Sequence, residues 1–311
     1  MKKVKSTTRY PAYLPGVYRF LLKIRKMIRQ GVIRKEEENT RKNGSTTIKP
    51  DGAAAWADNI DGLANNDTYI NKSAKWADED LLKPHVSAFD QKIKDLQSEL
   101  NNRELRYCSA AGTFVRETYH GAADRKKNWE NCWILAHANV QPEHKVLDIG
   151  GASTIFAFFV ASIGCEVHVI DNDWGNCGTL FNTNYVGRKM GWNINAHDRD
   201  IQKTLPFPDN YFDRIFSICV VEHLPSVLRQ YMMKEINRVS KPGCLVGLTT
   251  DYDFDREVLV VDKGLRFAYP EKLYNDIIDP SGLKIYGNTD LVDAFKPNEF
   301  FLGSLFLEKA V

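Results

Sequence analysis

Residues 145–173 read KVLDIGGASTIFAFFVASIGCEVHVIDND. Val146 and Leu147 form a short apolar run that ends in Asp148. Gly150, Gly151, Ala152 and Ser153 make a small-residue turn. Thr154 to Ile163 is apolar over the length of a helix, and Gly164 closes it. Glu166 to Ile170 is a second short β-type run, ending in Asp171. The pattern predicts strand, turn, helix, strand, the first βαβ unit of a nucleotide-binding sheet. Each part has a physical use at a cofactor. Glycines let the backbone bend sharply and approach a ligand. The helix start offers unpaired N–H groups and the positive end of a dipole. An acid closing the second strand accepts hydrogen bonds from ribose hydroxyls.

A dinucleotide fingerprint asks for G-x-G-x-x-G. From Gly150 the chain reads Gly-Gly-Ala-Ser-Thr-Ile, without the second and third glycines that a pyrophosphate needs. The stretch instead resembles the first motif, D-x-G-x-G-x-G, of class I S-adenosylmethionine-dependent methyltransferases. Asp148 and Gly150 match it, and Ala152 and Thr154 stand where that family usually has glycine. Later stretches strengthen the resemblance. Leu205 to Asp213, LPFPDNYFD, is similar to the L-P-F-x-D-x-x-F-D run that follows the family's third strand. Arg214 to Val221 predicts a fourth strand, and Glu222-His223-Leu224-Pro225 after it resembles the family's E-H-L element. Lys241-Pro242-Gly243 resembles a family turn, with Cys244 in place of its second glycine.

The resemblance covers about residues 125–311. It implies a Rossmann-like α/β fold, a doubly wound sheet of seven strands with the last one antiparallel. The third strand is expected at Trp192 to Ala196, the fifth at Cys244 to Thr250, and the last two at Leu283 to Tyr286 and Phe300 to Leu307. Helices are expected at Leu228 to Val239 and Tyr269 to Ile278, and somewhere between Trp174 and Met190. The cofactor implied is S-adenosylmethionine, leaving as S-adenosylhomocysteine, and the contacts implied are Asp148, Gly150, Gly151, Ala152, Asp171, Asn172, Asp200, Ile201 and Cys219. Asp200 is the match for the acid that meets the adenine amino group, with Asp198 as its alternative. His223 is the general-base candidate, and Glu222 its neighbour or a cofactor-orienting group. His168, inside a strand, reads as a core or sheet-face residue.

The remaining 120 or so residues have no such match. Residues 1–50 hold 14 Lys and Arg against three acids, Glu36, Glu37 and Glu38, while the whole chain carries a net charge of only +2. Tyr18 to Lys35 interleaves apolar and basic side chains and predicts a basic amphipathic arm over residues 1–42, suited to an anionic membrane, a glycolipid or nucleic acid. Residues 43–85 are rich in Asn, Asp, Ala, Gly and Ser and read as a polar linker or loosely ordered arm. Residues 86–123 read as a helical extension or lid, with Phe89, Ile93, Leu96 and Leu100 at helical spacing and Tyr119 and His120 as lid candidates. A further helix is expected at 124–139, at the start of the methyltransferase domain, 124–311.

Composition sets outer bounds. Hydrophobic residues make up 43% and charged residues 26% of 311, a globular balance. The six cysteines show no C-x-x-C pair and no metal spacing, and predict reduced thiols in a cytoplasmic protein. No apolar run reaches the roughly 18 residues of a membrane span, and the first residues lack the long apolar core of a signal peptide. After the fourth strand there is no N-P-P-Y or D-P-P-Y tetrapeptide of the kind that goes with planar nitrogen acceptors. The expected activity is therefore methyl transfer to a small molecule, with oxygen of a sugar, lipid-linked saccharide or other metabolite leading. RNA methylation through the basic arm and a non-catalytic scaffold are the alternatives. A polyamine synthase would want an acidic pair after the fourth strand, where only Glu222 stands.

Overall fold

The structure is a computed structural model. It describes residues 69–72, 78–110, 113–115, 122–172, 178–201, 203–253, 258–260, 264–268, 273–289 and 301–311. The chain divides into residues 1–51 and 52–311, and all described residues belong to the second unit. The basic arm, Tyr119, His120 and Cys177 lie outside the described residues.

The helical spacing of Phe89, Ile93, Leu96 and Leu100 becomes helix α1, Pro84–Asn102, with these side chains buried along one face. A two-stranded hairpin follows, β1, Tyr107–Ala110, and β2, Thr113–Val115. Helix α2, Ala122–Ala138, leads to strand β3, Lys145–Ile149. Helix α3, Ile155–Ile163, is buried along its whole length, as its uninterrupted apolar sequence requires. Strand β4, Glu166–Asp171, helix α4, Thr179–Met190, and strand β5, Ile194–Asp198, complete the first half. Strand β6 is Phe212–Ile218, helix α5 Ser226–Val239 and strand β7 Ser240–Asp253. Short strands β8, Val258–Val260, and β9, Gly264–Ala268, come next. A π-type turn, Tyr274–Ile278, runs into a short α-turn, Asp279–Ser281, and then into β10, Lys284–Ile285, and β11, Phe301–Glu308.

The main sheet has the order β10-β11-β7-β6-β3-β4-β5. β5, β4, β3, β6 and β7 are parallel neighbours, and β11 runs antiparallel between β7 and β10. This is the expected doubly wound sheet of seven strands. Strand β9 adds to the end of β7 and pairs with β8, an addition without a signal in the sequence reading.

Strand side chains alternate between the faces, so one apolar strand feeds two cores. Val146, Val167, Val169, Phe216 and Phe306 pack with α1, α2 and α3. Leu147, Ile170, Ile215, Leu305 and Leu307 pack with α5 and the residues around Ile277. Phe89 of α1 meets Phe159 of α3 edge-on at 6.0 Å between ring centroids. Trp129 and Trp133 stack within α2 at 5.6 Å.

Part of the stretch read as a polar linker is tied into this core. Trp133 donates its indole N–H to the Ile70 carbonyl at 3.0 Å, and Trp129 donates to Asp80 at 3.1 Å. Lys72 exchanges backbone hydrogen bonds with Ser304 of β11, both at 2.9 Å. Asn71 binds the carbonyls of Tyr286 and Asn288 through Nδ2 and accepts from Phe306 N through Oδ1.

Strand β7, Ser240–Asp253, takes in the Lys241-Pro242-Gly243 stretch expected as a turn and extends past the expected Cys244 to Thr250. Three further boundaries differ from the sequence expectation for a local reason. The third strand starts at Ile194, not Trp192, because Gly191 caps α4 in the left-handed region and Trp192 N still bonds Gly187 O. The fourth strand ends at Ile218, not Val221, because Cys219 takes a left-handed φ of 57°. The helix expected at Tyr269 to Ile278 is described only from Leu273 and is the π-type turn.

Candidate cofactor cleft

The chain leaves β3 toward β4 on one side and enters β6 on the other side of β3, so the sheet order reverses between β3 and β6. In an open α/β sheet such a switch point opens a crevice beyond the carboxyl ends of the strands. The residues expected in the site lie at the carboxyl ends of these strands, as Asp148 and Asp171 do, or on the turns that follow them.

The glycine turn after β3 is shaped by its own neighbours. Gly150 has φ +80°, and a Cβ there would sit 2.5 Å from Val220 Cγ2, on the turn after β6. A Cβ on Gly151 would sit 1.8 Å from Asp148 Oδ2. Both glycines are therefore required by the protein's packing, before any ligand is considered. Ser153 follows with φ 64°. A non-glycine residue in that region costs about 1–3 kcal/mol, and Ser153 is held by several hydrogen bonds. Its N–H donates to Thr183 Oγ1 at 2.7 Å, its hydroxyl donates to Thr179 O at 2.6 Å, and Asn182 Nδ2 donates to it at 2.9 Å. Thr154, where the resemblance wanted glycine, caps α3 by accepting from Ala157 N at 3.2 Å.

Asp148 is the electrostatic centre of the cleft. It is 2% exposed, and neither carboxylate oxygen has a hydrogen-bond partner among the described residues. Burial, with the nearby charge of Asp171 as a second cause, pushes its pKa up to about 8. Asp171 ends β4, half-buried, with Oδ2 3.4 Å from Ala152 N. Asn172 next to it is exposed. Across β4, Asp171 is in register with Asp198 of β5, and Asp200 and Ile201 follow, both half-buried. Ile201 packs on the core layer of α5. So Asp148, Asp171 and the pair Asp198 and Asp200 line one end of the sheet.

This distribution suits a ligand rich in hydrogen-bond donors. S-adenosylmethionine brings an ammonium, a sulfonium, two ribose hydroxyls and an adenine amino group. An orphaned buried carboxyl at Asp148 is the kind of group such a ligand satisfies.

On the other side of the switch point lies the turn after β6. Cys219 donates its N–H to Thr249 O at 3.0 Å and to Thr249 Oγ1 at 3.1 Å. Val221–His223 forms a short 3-10 turn. Glu222 is fully buried, and His223 has 42% of its side chain exposed, with Nε2 3.9 Å from Glu222 Oε1. Arg229 of α5 staples this turn from below. It donates to Val221 O and Glu222 O, both at 3.2 Å, and pairs with Asp276 at 3.0 Å, both side chains buried.

Two groups in this region were missed by the sequence reading, Lys127 and Glu130 of α2. Glu130 is fully buried and accepts from Thr249 Oγ1 at 2.9 Å, and Lys127 Nζ lies 2.8 Å from its other oxygen. Burial alone would lower the Lys127 pKa. The charge and hydrogen bond of Glu130, with Cys219 and Glu222 nearby, override it and hold the ammonium above its ordinary value. The available signal was an acid inside the apolar run Trp129 to Ala136, since unpaired acids are rarely buried. His168, expected on a sheet face, lies on β4 with Nδ1 2.9 Å from His197 Nε2 and Nε2 3.0 Å from Glu166.

A parallel sheet with this strand order, an acid-lined switch point and an antiparallel strand near its end defines a class of α/β cofactor-binding domain. Residues 147–247 match the family model described as methyltransferase domain. The matched stretch runs from strand β3 into strand β7, so the likeness to a methyltransferase domain falls on the part of the chain that bounds the cleft. Among curated proteins, the chain is 29% identical over 151 residues to sterol 24-C-methyltransferase ERG6B of Gibberella zeae, covering 46% of this chain and 38% of that one. It is 33% identical over 129 residues to sterol 24-C-methyltransferase of Pneumocystis carinii, covering 39% and 31%. The chain thus spans about a third of the length of these relatives. Among solved structures, the [4+2]-cyclase SpnF is 19% identical at a TM-score of 0.49, over 66% of this chain and 86% of that one. A putative sarcosine dimethylglycine methyltransferase from Galdieria sulphuraria is 16% identical at 0.46, over 60% and 88%.

Proposed function

We propose that this protein transfers a methyl group from S-adenosylmethionine to a small-molecule acceptor. The observation that carries the reading is the buried Asp148 carboxyl, without a hydrogen-bond partner among the described residues, beside the glycine turn at the switch point. When bound, the cofactor supplies a methyl already activated on sulfur, so the protein's task is mainly alignment. In this reading Asp148 faces the cationic end of the cofactor. Asp171, with Asn172, accepts from the ribose hydroxyls, and Asp200, with Ile201, holds the adenine. Gly150, Gly151, Ala152 and Cys219 border the cofactor through their backbones.

On the acceptor side, His223 takes the proton of an O–H acceptor as general base. Its partial exposure and the 3.9 Å contact with buried Glu222 suit that role. Oxygen of a sugar, lipid-linked saccharide or other metabolite is the acceptor we favour. Methylation of a carbon on an apolar lipid is the second reading, supported by the names of the sterol methyltransferase relatives. The basic residues of 1–42 would bring the protein to an anionic membrane or glycolipid surface, where either kind of acceptor is found. RNA is the competing partner for the same charge.

The test is calorimetric titration with S-adenosylmethionine, S-adenosylhomocysteine and NAD. Micromolar binding of the two sulfur compounds and none of NAD is expected. Asp171→Ala should weaken that binding tenfold or more, because each hydrogen bond to a charged group contributes about 1.5–3 kcal/mol. Binding of NAD alone, or of nothing, would overturn the proposal.

A further inference from the structure

We propose that Glu130 and Thr249 are positioning residues for the cofactor cleft, acting through the turn after β6. The inference rests on the cofactor reading above and adds two residues from outside the family motifs.

Strands β3 and β6 are paired in parallel, Val146 with Arg214 through Asp148 with Phe216. Beyond that pairing the two turns are held against each other. Val220 Cγ2 occupies the space that a side chain on Gly150 would need. The spacing of the two turns is therefore set by where Cys219 and Val220 sit. Cys219 is left-handed at φ 57°, a conformation its side chain disfavours, so something must hold it.

Of the two bonds that do so, the one to the Thr249 hydroxyl is conditional. Cys219 N–H points at Thr249 O and Oγ1. A hydroxyl has one proton and two lone pairs. Thr249 gives its proton to Glu130 Oε1 at 2.9 Å, which leaves a lone pair for Cys219. Glu130 thus fixes the polarity of the hydroxyl, and the hydroxyl fixes the turn. Lys127, 2.8 Å from the second oxygen, holds the carboxylate in place. Glu130 and Thr249 are both at 0% exposure, so water does not substitute for the bond between them. Helix α2 is thereby coupled to the cleft it flanks.

The experiment compares Thr249→Val, which keeps the shape and loses the hydroxyl, with Thr249→Ser, which keeps the hydroxyl. S-adenosylhomocysteine affinity is read by calorimetry, and folding by the thermal midpoint. Thr249→Val should bind about tenfold more weakly and Thr249→Ser within twofold of the parent. Glu130→Leu should match Thr249→Val, and the double variant should lose no more than either single change, because both break one chain of bonds. A merely structural role would lower the midpoint and leave the affinity of the folded protein unchanged. Affinity of Thr249→Val within twofold of the parent overturns the inference, as does full additivity in the double variant. Should Thr249→Val not fold, Glu130→Leu carries the same test. An unaltered protein that binds no S-adenosylhomocysteine overturns the cofactor reading, and this inference falls with it.

Discussion

Asp148 is where the sequence and the folded environment pull hardest against each other. The motif requires an acid, and the fold buries it beside a second acid, Asp171. With a pKa of about 8 in the folded chain against 3.8 for the free side chain, Asp148 keeps its proton across a range in which the unfolded chain has lost it. The folded state then binds more protons than the unfolded one, so this residue's contribution to stability declines as pH rises from about 4 to 8. Asp148→Asn removes that decline. Its thermal midpoint should exceed that of the unaltered protein by a margin that widens from pH 5 to pH 8, while its S-adenosylhomocysteine affinity falls tenfold or more. Midpoints measured at four pH values across that range are the check, and a constant margin would refute the assignment. The residue was legible from its motif, but its neighbour was not understood. Gly151 looked like a ligand-approach glycine, whereas it is the Asp148 carboxylate that occupies the place of its side chain.

At the scale of elements, the cleft depends on short turns that are anchored from behind. The 3-10 turn Val221–His223 carries Glu222 and His223 and has one fully buried cation under it, Arg229. Arg229 joins that turn to Asp276, on the π-type turn 50 residues from Ser226, whose hydroxyl donates to the same carboxylate. Removing one member of a buried pair leaves the other charge unpaired and costs about 3–5 kcal/mol. Arg229→Leu should lower the unfolding free energy in urea by that amount, and a loss below about 1 kcal/mol would show the pair to be dispensable. None of this was readable beforehand, because Arg229 and Asp276 are distant in sequence and ordinary in composition. The helices and strands themselves were largely readable. Their boundaries failed where one residue took a left-handed backbone, as at Cys219 and Gly191.

For the whole molecule, the distribution of charge is the feature with the furthest reach. Residues 1–50 carry 14 of the 42 Lys and Arg, and the rest of the chain has an excess of acids. No helix among the described residues is long and apolar enough to cross a membrane. Peripheral attachment by a polybasic segment adds about 1 kcal/mol per basic residue near an anionic surface, and salt screens it. The full chain should therefore sediment with vesicles containing anionic lipid at low salt and release as salt rises. A chain shortened by residues 1–42 should stay in the supernatant. Binding to neutral vesicles equally well would refute the electrostatic account, and preferential capture by RNA in the same assay would move the acceptor search to nucleic acid.

The sequence by itself determined the order of the main-sheet strands along the chain and the candidate cofactor residues at their ends, but not the β1–β2 hairpin or strands β8 and β9. The elements follow from patterns short enough to act locally: apolar runs of strand and helix length, glycines at bends, and acids at strand ends. The sheet and the cofactor residues are what the family resemblance of those motifs implies. Tertiary structure alone decided how those turns are held. Glu130 reaches Thr249 across 119 residues, Arg229 reaches Asp276 across 47, and Asn71 joins the last strand across 235. Such contacts leave no periodic trace, since a single polar side chain aimed into the core looks, in one dimension, like any other.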